Sequence, residues 1–258
     1  MTISFTKYHG AGNDFVLIDN RSGIFDSSNS SLVKQLCDRR FGIGGDGLML
    51  LNSSKSQDFE MKYYNSDGHE GTMCGNGGRC IVAFAKKLGI IGNETNFLAV
   101  DGPHYAKMSD NLVSLKMNDV SEIKKIGNNY FVNTGSPHYI EFVENVKSID
   151  VVSLGRKIRN RSEFAPGGTN VNFVSYSKEQ IEIRTYERGV EDETYSCGTG
   201  TVAAALVISE AVHPGINELS LQAPGGILKV SFEKTKHGYR NIMLTGPAAE
   251  VFTGVVTI

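Results

Sequence analysis

The sequence predicts an α/β protein, α+β in the arrangement of its parts, made of one domain present twice. Three observations point there. Segments of the chain recur in the same order at a near-constant spacing. Short apolar runs of strand length are interspersed with a few helical patterns. Each half also holds a Cys-Gly-x-Gly turn that opens a helix, at Cys74 and at Cys197.

The elements read in order as follows. "ISFTKYHGAGNDFVLID" has the pattern strand, glycine turn, strand. "SSLVKQLCDRR" places Leu32, Val33, Leu36 and Cys37 on one helical face, with Ser30 or Ser31 as the N-cap. "GLMLLN" and "DFEMKYYN" read as strands. "GNGGRCIVAFAKKLG" reads as a helix that starts beside Cys74, carries Ile81, Phe84, Ala85 and Leu88, and stops at Gly89.

Cys197 lies 123 residues after Cys74. The same shift lays "GNDFVLI" over "GSPHYIE", and "FGIGGDGLMLL" over "FAPGGTNVNFV". One residue of slippage sets "MKYYN" over "IRTYE" and Asn65 against Glu187; a shift of 124 sets "NETNFLAVDG" over "NELSLQAPGG". Glycine-rich turns resemble one another anywhere, but chance likeness does not produce a common spacing. The repeat predicts domains at residues 1–117 and 118–248, with the last strand, 249–258, returning to the first. Equivalent features would then face each other across a cleft, a preferred place for a small-molecule site.

Composition bounds the function. With 258 residues, 40% hydrophobic and 21% charged, the chain suits a water-soluble protein of one large or two small domains. A formal net charge of -2 gives no general attraction to nucleic acid or to an anionic membrane. "MTISFTKYHG" lacks a basic stretch followed by an apolar one, so no signal peptide is expected, and the expected location is cytoplasmic. In a reducing cytosol four cysteines without a C-x-x-C pair suggest neither a disulfide framework nor a structural zinc site. "GIGGDG" fits G-x-G-x-x-G in letters, but a helix precedes it and a strand follows, the reverse of a dinucleotide site.

The two cysteine helices carry the chemistry. A helix N-terminus offers unpaired N–H groups and partial positive charge, which lowers a nearby thiol from about 8.5 toward neutrality. It also receives anions, so Gly75, Asn76, Gly198 and Thr199 could converge on one carboxylate. Inverting the α-carbon of an amino acid needs a base on one face and an acid on the other. Two facing thiols meet that need if each sulfur stands roughly 3–3.5 Å from the reacting group, about 7 Å apart in all. Cys80 and Cys37 read as packed core thiols. A cysteine hydrolase using His138 as base would leave the second Cys-Gly-x-Gly helix without a purpose. A binding module that has kept the pocket without the chemistry is the alternative from another class.

"KYHGAGNDFVLID", "YNSDGHEGTMCGNGGRC", "GSPH", "GGTNVNFV" and "YERGVEDETYSCGTG" together resemble the diaminopimelate epimerase family, in the family's order from residue 7 to residue 200. Cys-Gly-x-Gly alone would also fit relatives of proline racemase or hydroxyproline epimerase. The resemblance implies two pseudo-symmetric domains, each a curled, barrel-like mixed sheet around a central helix, with the active site between them. It implies no pyridoxal phosphate and no metal. It implies epimerisation of LL-2,6-diaminopimelate to the meso form, in lysine and peptidoglycan precursor synthesis. A small-molecule substrate and a second copy of the chain, in a homodimer, are the expected partners.

Carried over by position, Cys74 and Cys197 are the acid/base pair, and Gly75 with Asn76 and Gly198 with Thr199 hold the carboxylate at the reacting centre. Glu187 accepts from the ammonium; Asn13, Asn65, Asn170 and Arg188 are further substrate contacts, Arg188 suiting a bidentate grip on the distal carboxylate. His138 matches a position that supports catalysis. Read without the resemblance, Asn13 beside Gly12 equally fits a left-handed turn, Glu187 and Arg188 an exposed ion pair, and His138 a turn histidine. The chain departs from the family's pattern at Ser136, where many members have Asn, and at Gly47, where some have Gln. It also carries one extra residue between Glu187 and Cys197.

Overall fold

The computed structural model describes residues 2–177 and 180–258. The chain divides into two compact units, Met1–Leu115 with Gly246–Ile258, and Lys116–Thr245.

The first unit opens with a hairpin of β1 (Thr2–Gly10) and β2 (Asn13–Asp19), in which Gly10 pairs with Asn13. The two turn residues, Ala11 and Gly12, both have positive φ, 51° and 86°, as a two-residue hairpin turn of matching twist requires. The left-handed positions are therefore Ala11 and Gly12, and Asn13 already belongs to the strand. Helix α1 (Ser30–Cys37) is capped by Asn29, whose side chain accepts from Leu32 N at 3.0 Å, rather than by Ser30 or Ser31. Asparagine is at least as good a cap as serine, and it stands three residues before the free N–H.

Next come β3 (Gly47–Asn52), β4 (Phe59–Asn65), helix α2 (Gly75–Lys87), β5 (Glu94–Ala99), β6 (Gly102–Ser109) and β7 (Leu112–Lys116). β3 runs parallel to β2 and β5 parallel to β4, while the β3–β4 and β5–β6 pairs are antiparallel. The runs "FVLI" and "LMLL" are buried along their whole length because both faces of the sheet are covered. Val16, Ile18, Leu48 and Leu50 meet Val33, Leu36 and Cys37 of α1 on one face. On the other, α2 lies against β1, β2, β3 and β6. Truncating one of these fully buried leucines to alanine would cost about 2–5 kcal/mol.

The second unit repeats the plan. It holds β8 (Ile123–Ile126), β9 (Asn129–Asn133), β10 (Pro137–Phe142), α3 (Val151–Arg159), β11 (Asn170–Tyr176), β12 (Ile181–Glu187), β13 (Asp192–Thr194), α4 (Gly198–Ala211), β14 (Glu218–Ala223), β15 (Gly226–Thr235) and β16 (Gly238–Pro247). β10 and β11 are parallel, β11 and β12 antiparallel, β12 and β14 parallel, β14 and β15 antiparallel, the order of the first unit. Helix α4 is apolar on every side and packs against β9, β10, β11, β12, β14 and β15, so the sheet curls around it. β17 (Ala249–Thr257) then pairs antiparallel with β1 and completes the first unit.

The repeat also sets the register. Phe15 pairs with Gly47 in the first unit, and His138 with Asn170 in the second, each 123 residues on. Among the described residues no helix is long and apolar enough to cross a membrane.

Candidate active site

Cys74 is the N-cap of α2, with extended backbone (φ -105°, ψ 129°), and Gly78 N closes the first helical turn on its carbonyl at 2.7 Å. Cys197 caps α4 in the same way, and Thr201 N closes that turn at 2.9 Å. Neither helix has an acidic residue in its first turn, so nothing of its own offsets the positive end of the dipole.

In the first unit Asn13, Cys74 and Asn76 come together. Cys74 Sγ lies 3.7 Å from Asn13 Oδ1, and Asn76 Nδ2 donates to the same oxygen at 3.3 Å. The direction of this chain is set at both ends. Asp46 can only accept, and takes a bond from Asn13 Nδ2 at 2.6 Å; Arg79 can only donate, and gives one to Asn76 Oδ1 at 2.9 Å. Asp46 is held by Arg39, which also grips Asp14 together with Lys7. Burial works to raise the Asp14 carboxyl, but Arg39 and Lys7 bring it down to about 2. Asn65, at the end of β4, is exposed and accepts from the Tyr63 hydroxyl at 3.0 Å. Gly47 leaves no room for a longer residue, since a Cβ there would lie 2.5 Å from the Tyr63 ring and from Tyr64 O.

In the second unit Cys197, Thr199 and His138 come together. Cys197 Sγ is 3.5 Å from Thr199 Oγ1, which is 2.9 Å from His138 Nε2. His138 is a fully buried residue of β10, not a turn histidine. Asn172 Nδ2, a donor, faces His138 Nδ1 at 3.1 Å, and Thr185 Oγ1 donates to Asn172 Oδ1 at 2.9 Å. The ring therefore accepts at Nδ1 and donates from Nε2 to Thr199. Burial and the nearby Arg188 charge push His138 down to about 3, so it stays neutral. Gly200 permits this approach: a Cβ there would lie 2.3 Å from Asn172 Oδ1.

Asn170, buried at the start of β11, donates to Ser136 Oγ at 2.8 Å and to Pro137 O at 2.9 Å, and accepts from Arg188 N at 2.9 Å. Ser136 thus serves to hold Asn170, and Asn170 holds the Arg188 backbone. The Arg188 side chain itself is exposed. Glu187 ends β12 and accepts from Thr194 Oγ1 at 2.8 Å. Its pairing with Asp192 confines the extra residue to the turn between them, where Gly189 and Glu191 take φ of 95° and 62°.

The family model for diaminopimelate epimerase matches residues 5–120 and 130–251. The chain belongs to the diaminopimelate epimerase family. It is 52% identical over 248 residues to the diaminopimelate epimerase of Flavobacterium psychrophilum, covering 95% of this chain and 97% of that one. It is 43% identical over 259 residues to that of Chlorobaculum tepidum, covering 96% and 99%. Among solved structures, a phenazine biosynthesis protein of the PhzF family from Bacillus anthracis shares the fold with a TM-score of 0.82 at 14% identity, over 100% of both chains. A hydroxyproline epimerase from Agrobacterium vitis shares it with a TM-score of 0.66 at 13% identity, over 99% of this chain and 92% of that one. Three further positions join the site residues by contact: Asp46, Arg79 and Asn172. Two had a local signal. Arg79 stands three and four residues beyond Asn76 and Gly75 on one helix face, and Asn172 shares a strand face with Asn170.

Proposed function

We propose that the chain converts LL-2,6-diaminopimelate to the meso form without pyridoxal phosphate or metal, using Cys74 and Cys197 as a thiolate/thiol pair. What supports this most is the pair of equivalent helix starts, each capped by cysteine, in a chain of this family. One thiolate takes the α-proton. The electron pair left on carbon delocalises into the carboxylate, whose growing charge is met by the N–H groups at Gly75, Asn76, Gly198 and Thr199. The opposite thiol delivers its proton to the other face, and the two sulfurs end with their protonation states exchanged. The reading requires the sulfurs to approach one carbon from opposite sides, about 7 Å apart.

Glu187 accepts from the substrate ammonium in this proposal, and His138 supports Cys197 through Thr199. Asn13, Asn65, Asn170 and Arg188 receive the distal amino-acid head group, with Arg188 on its carboxylate. A cytoplasmic homodimer completes the reading. The test is incubation with LL-diaminopimelate in deuterated water. The expected result is deuterium at the α-carbon and formation of the meso isomer, with proline unchanged in a parallel assay. No exchange with diaminopimelate would refute the proposal, and turnover of proline instead would replace it with a monocarboxylic racemase.

A further inference from the structure

Arg79 is 0% exposed, the largest fully buried side chain of the first unit. Its guanidinium donates to Gly75 O at 3.1 Å, Asn76 Oδ1 at 2.9 Å and Pro247 O at 3.5 Å, all of them neutral oxygens. Among the described residues it forms no ion pair with a carboxylate. On the side of β1 the packing is close, since a Cβ on Gly10 would lie 2.9 Å from Asn76 O and 3.4 Å from Arg79 Nη2. A buried cation without an anion is costly, and proteins rarely keep one without a use. The repeat sharpens the point: the equivalent position on α4 is Val202, also fully buried, so this place in the fold accepts an aliphatic side chain.

The anion that answers Arg79 has few candidates. Burial works against its charge, and the two thiols of Cys80 and Cys74 work to keep it. Cys80 is pushed up to about 12 by burial and stays a neutral thiol. The other charges nearby are matched. Lys7 and Arg39 stand against Asp14 and Asp46 beside Asn13, and Glu250, which accepts from Tyr8, pairs with Lys87. His9 Nδ1 accepts from Gly12 N. The other group that acts on Arg79 is Cys74, half-buried at the start of the helix that Arg79 underlies. Asn13 Oδ1 at 3.7 Å favours its protonated form, but an S–H donor at that length is weak against a full charge in a dry site.

We propose that Arg79 is a positioning residue for Cys74: it supplies the counter-charge that lets the Cys74 thiol release its proton to solvent and rest as a thiolate. Arg79 does so from beneath the helix start, through Gly75 and Asn76, without reaching substrate. The second half-site uses a different device for Cys197, the neutral donor chain of Asn172, His138 and Thr199. The inference rests on reading Cys74 as a reacting thiol.

The experiment is the pH dependence of iodoacetamide labelling at Cys74, followed by peptide mass spectrometry in a Cys197→Ala protein. The expected midpoint lies at least one unit below the free-thiol value of about 8.5. Arg79→Met should raise it by a unit or more, a tenfold loss of thiolate near neutral pH, and Arg79→Lys should fall between. A Cys74 midpoint at or above about 8.5 with Arg79 present overturns the proposal, and this arm stands even if Arg79→Met fails to fold. An unmoved midpoint in Arg79→Met also overturns it, including the case where only KM for substrate rises, because the charge then serves a carboxylate. Labelling needs no turnover, so a protein that labels as expected yet exchanges no α-proton would fail the proposed function and leave this inference standing.

Discussion

The ring of His138 and the hydroxyl of Thr199 meet at 2.9 Å, with Cys197 Sγ 3.5 Å beyond. Because Asn172 donates to the far ring nitrogen, His138 donates toward Thr199, and the threonine's own proton is directed away from the ring. That proton can then stabilise a thiolate at Cys197. Thr199→Val keeps the shape and removes the hydroxyl. The expected loss in kcat is about 10–100-fold, the worth of one hydrogen bond to a charged group. Thr199→Ser should recover most of it. Equal rates of α-proton exchange for Val and Thr would show that the side chain only fills space.

His138 also makes stability depend on pH. Its folded value, about 3, lies below the ordinary 6.5, so between these the unfolded chain binds more protons. The stabilisation is fully present above about 6.5 and drains away as pH falls toward 3, to a total on the order of a few kcal/mol. Urea unfolding from pH 7 to pH 4 should show a falling midpoint in the parent. His138→Gln should flatten that slope; parallel slopes would contradict the linkage.

Arg188 is exposed and its backbone is pinned by Asn170, which leaves the guanidinium available to a ligand. Arg188→Met is expected to raise KM for diaminopimelate about 100-fold, with a smaller change in kcat. Arg188→Lys should recover only part, because an ammonium cannot form the paired bonds of a planar fork. Stability should stay within about 0.5 kcal/mol of the parent, as an exposed substitution does. An unchanged KM would remove Arg188 from the substrate site.

The four thiols should separate under oxidant. Burial pushes Cys37 and Cys80 up to about 12, so both stay protonated and slow to react. Peroxide without reductant should inactivate the protein, yield a Cys74–Cys197 cross-linked peptide, and reverse with a thiol reductant. Modification found first at Cys37 or Cys80, or full activity after treatment, would count against facing reactive thiols.

Much of the fold was legible in the chain. The doubled element order follows from local signals, namely apolar runs of strand length, a helical face such as Val33, Leu36 and Cys37, and glycines after helices. Short-range chemistry also marks Cys74 and Cys197, because an N-cap position depends only on the residues beside it. The sequence does not single out Asn29 as the cap, since the four serines that flank it compete for the same role.

The differences between the copies were not legible, because they depend on which side chains meet across strands far apart in sequence. The alignment that sets Phe15 over His138 and Met49 over Asn172 shows an apolar pair in one copy and a polar pair in the other. It does not show that each pair packs against the same helix glycine, Gly77 or Gly200. Nor does it show that Arg79 lies buried with neutral partners where Val202 lies in a hydrophobic core. Periodicity reports which face of an element is apolar, and spacing reports that a helix begins. The direction of a hydrogen bond and the absence of a counter-ion arise only when distant groups are brought into contact and water is excluded.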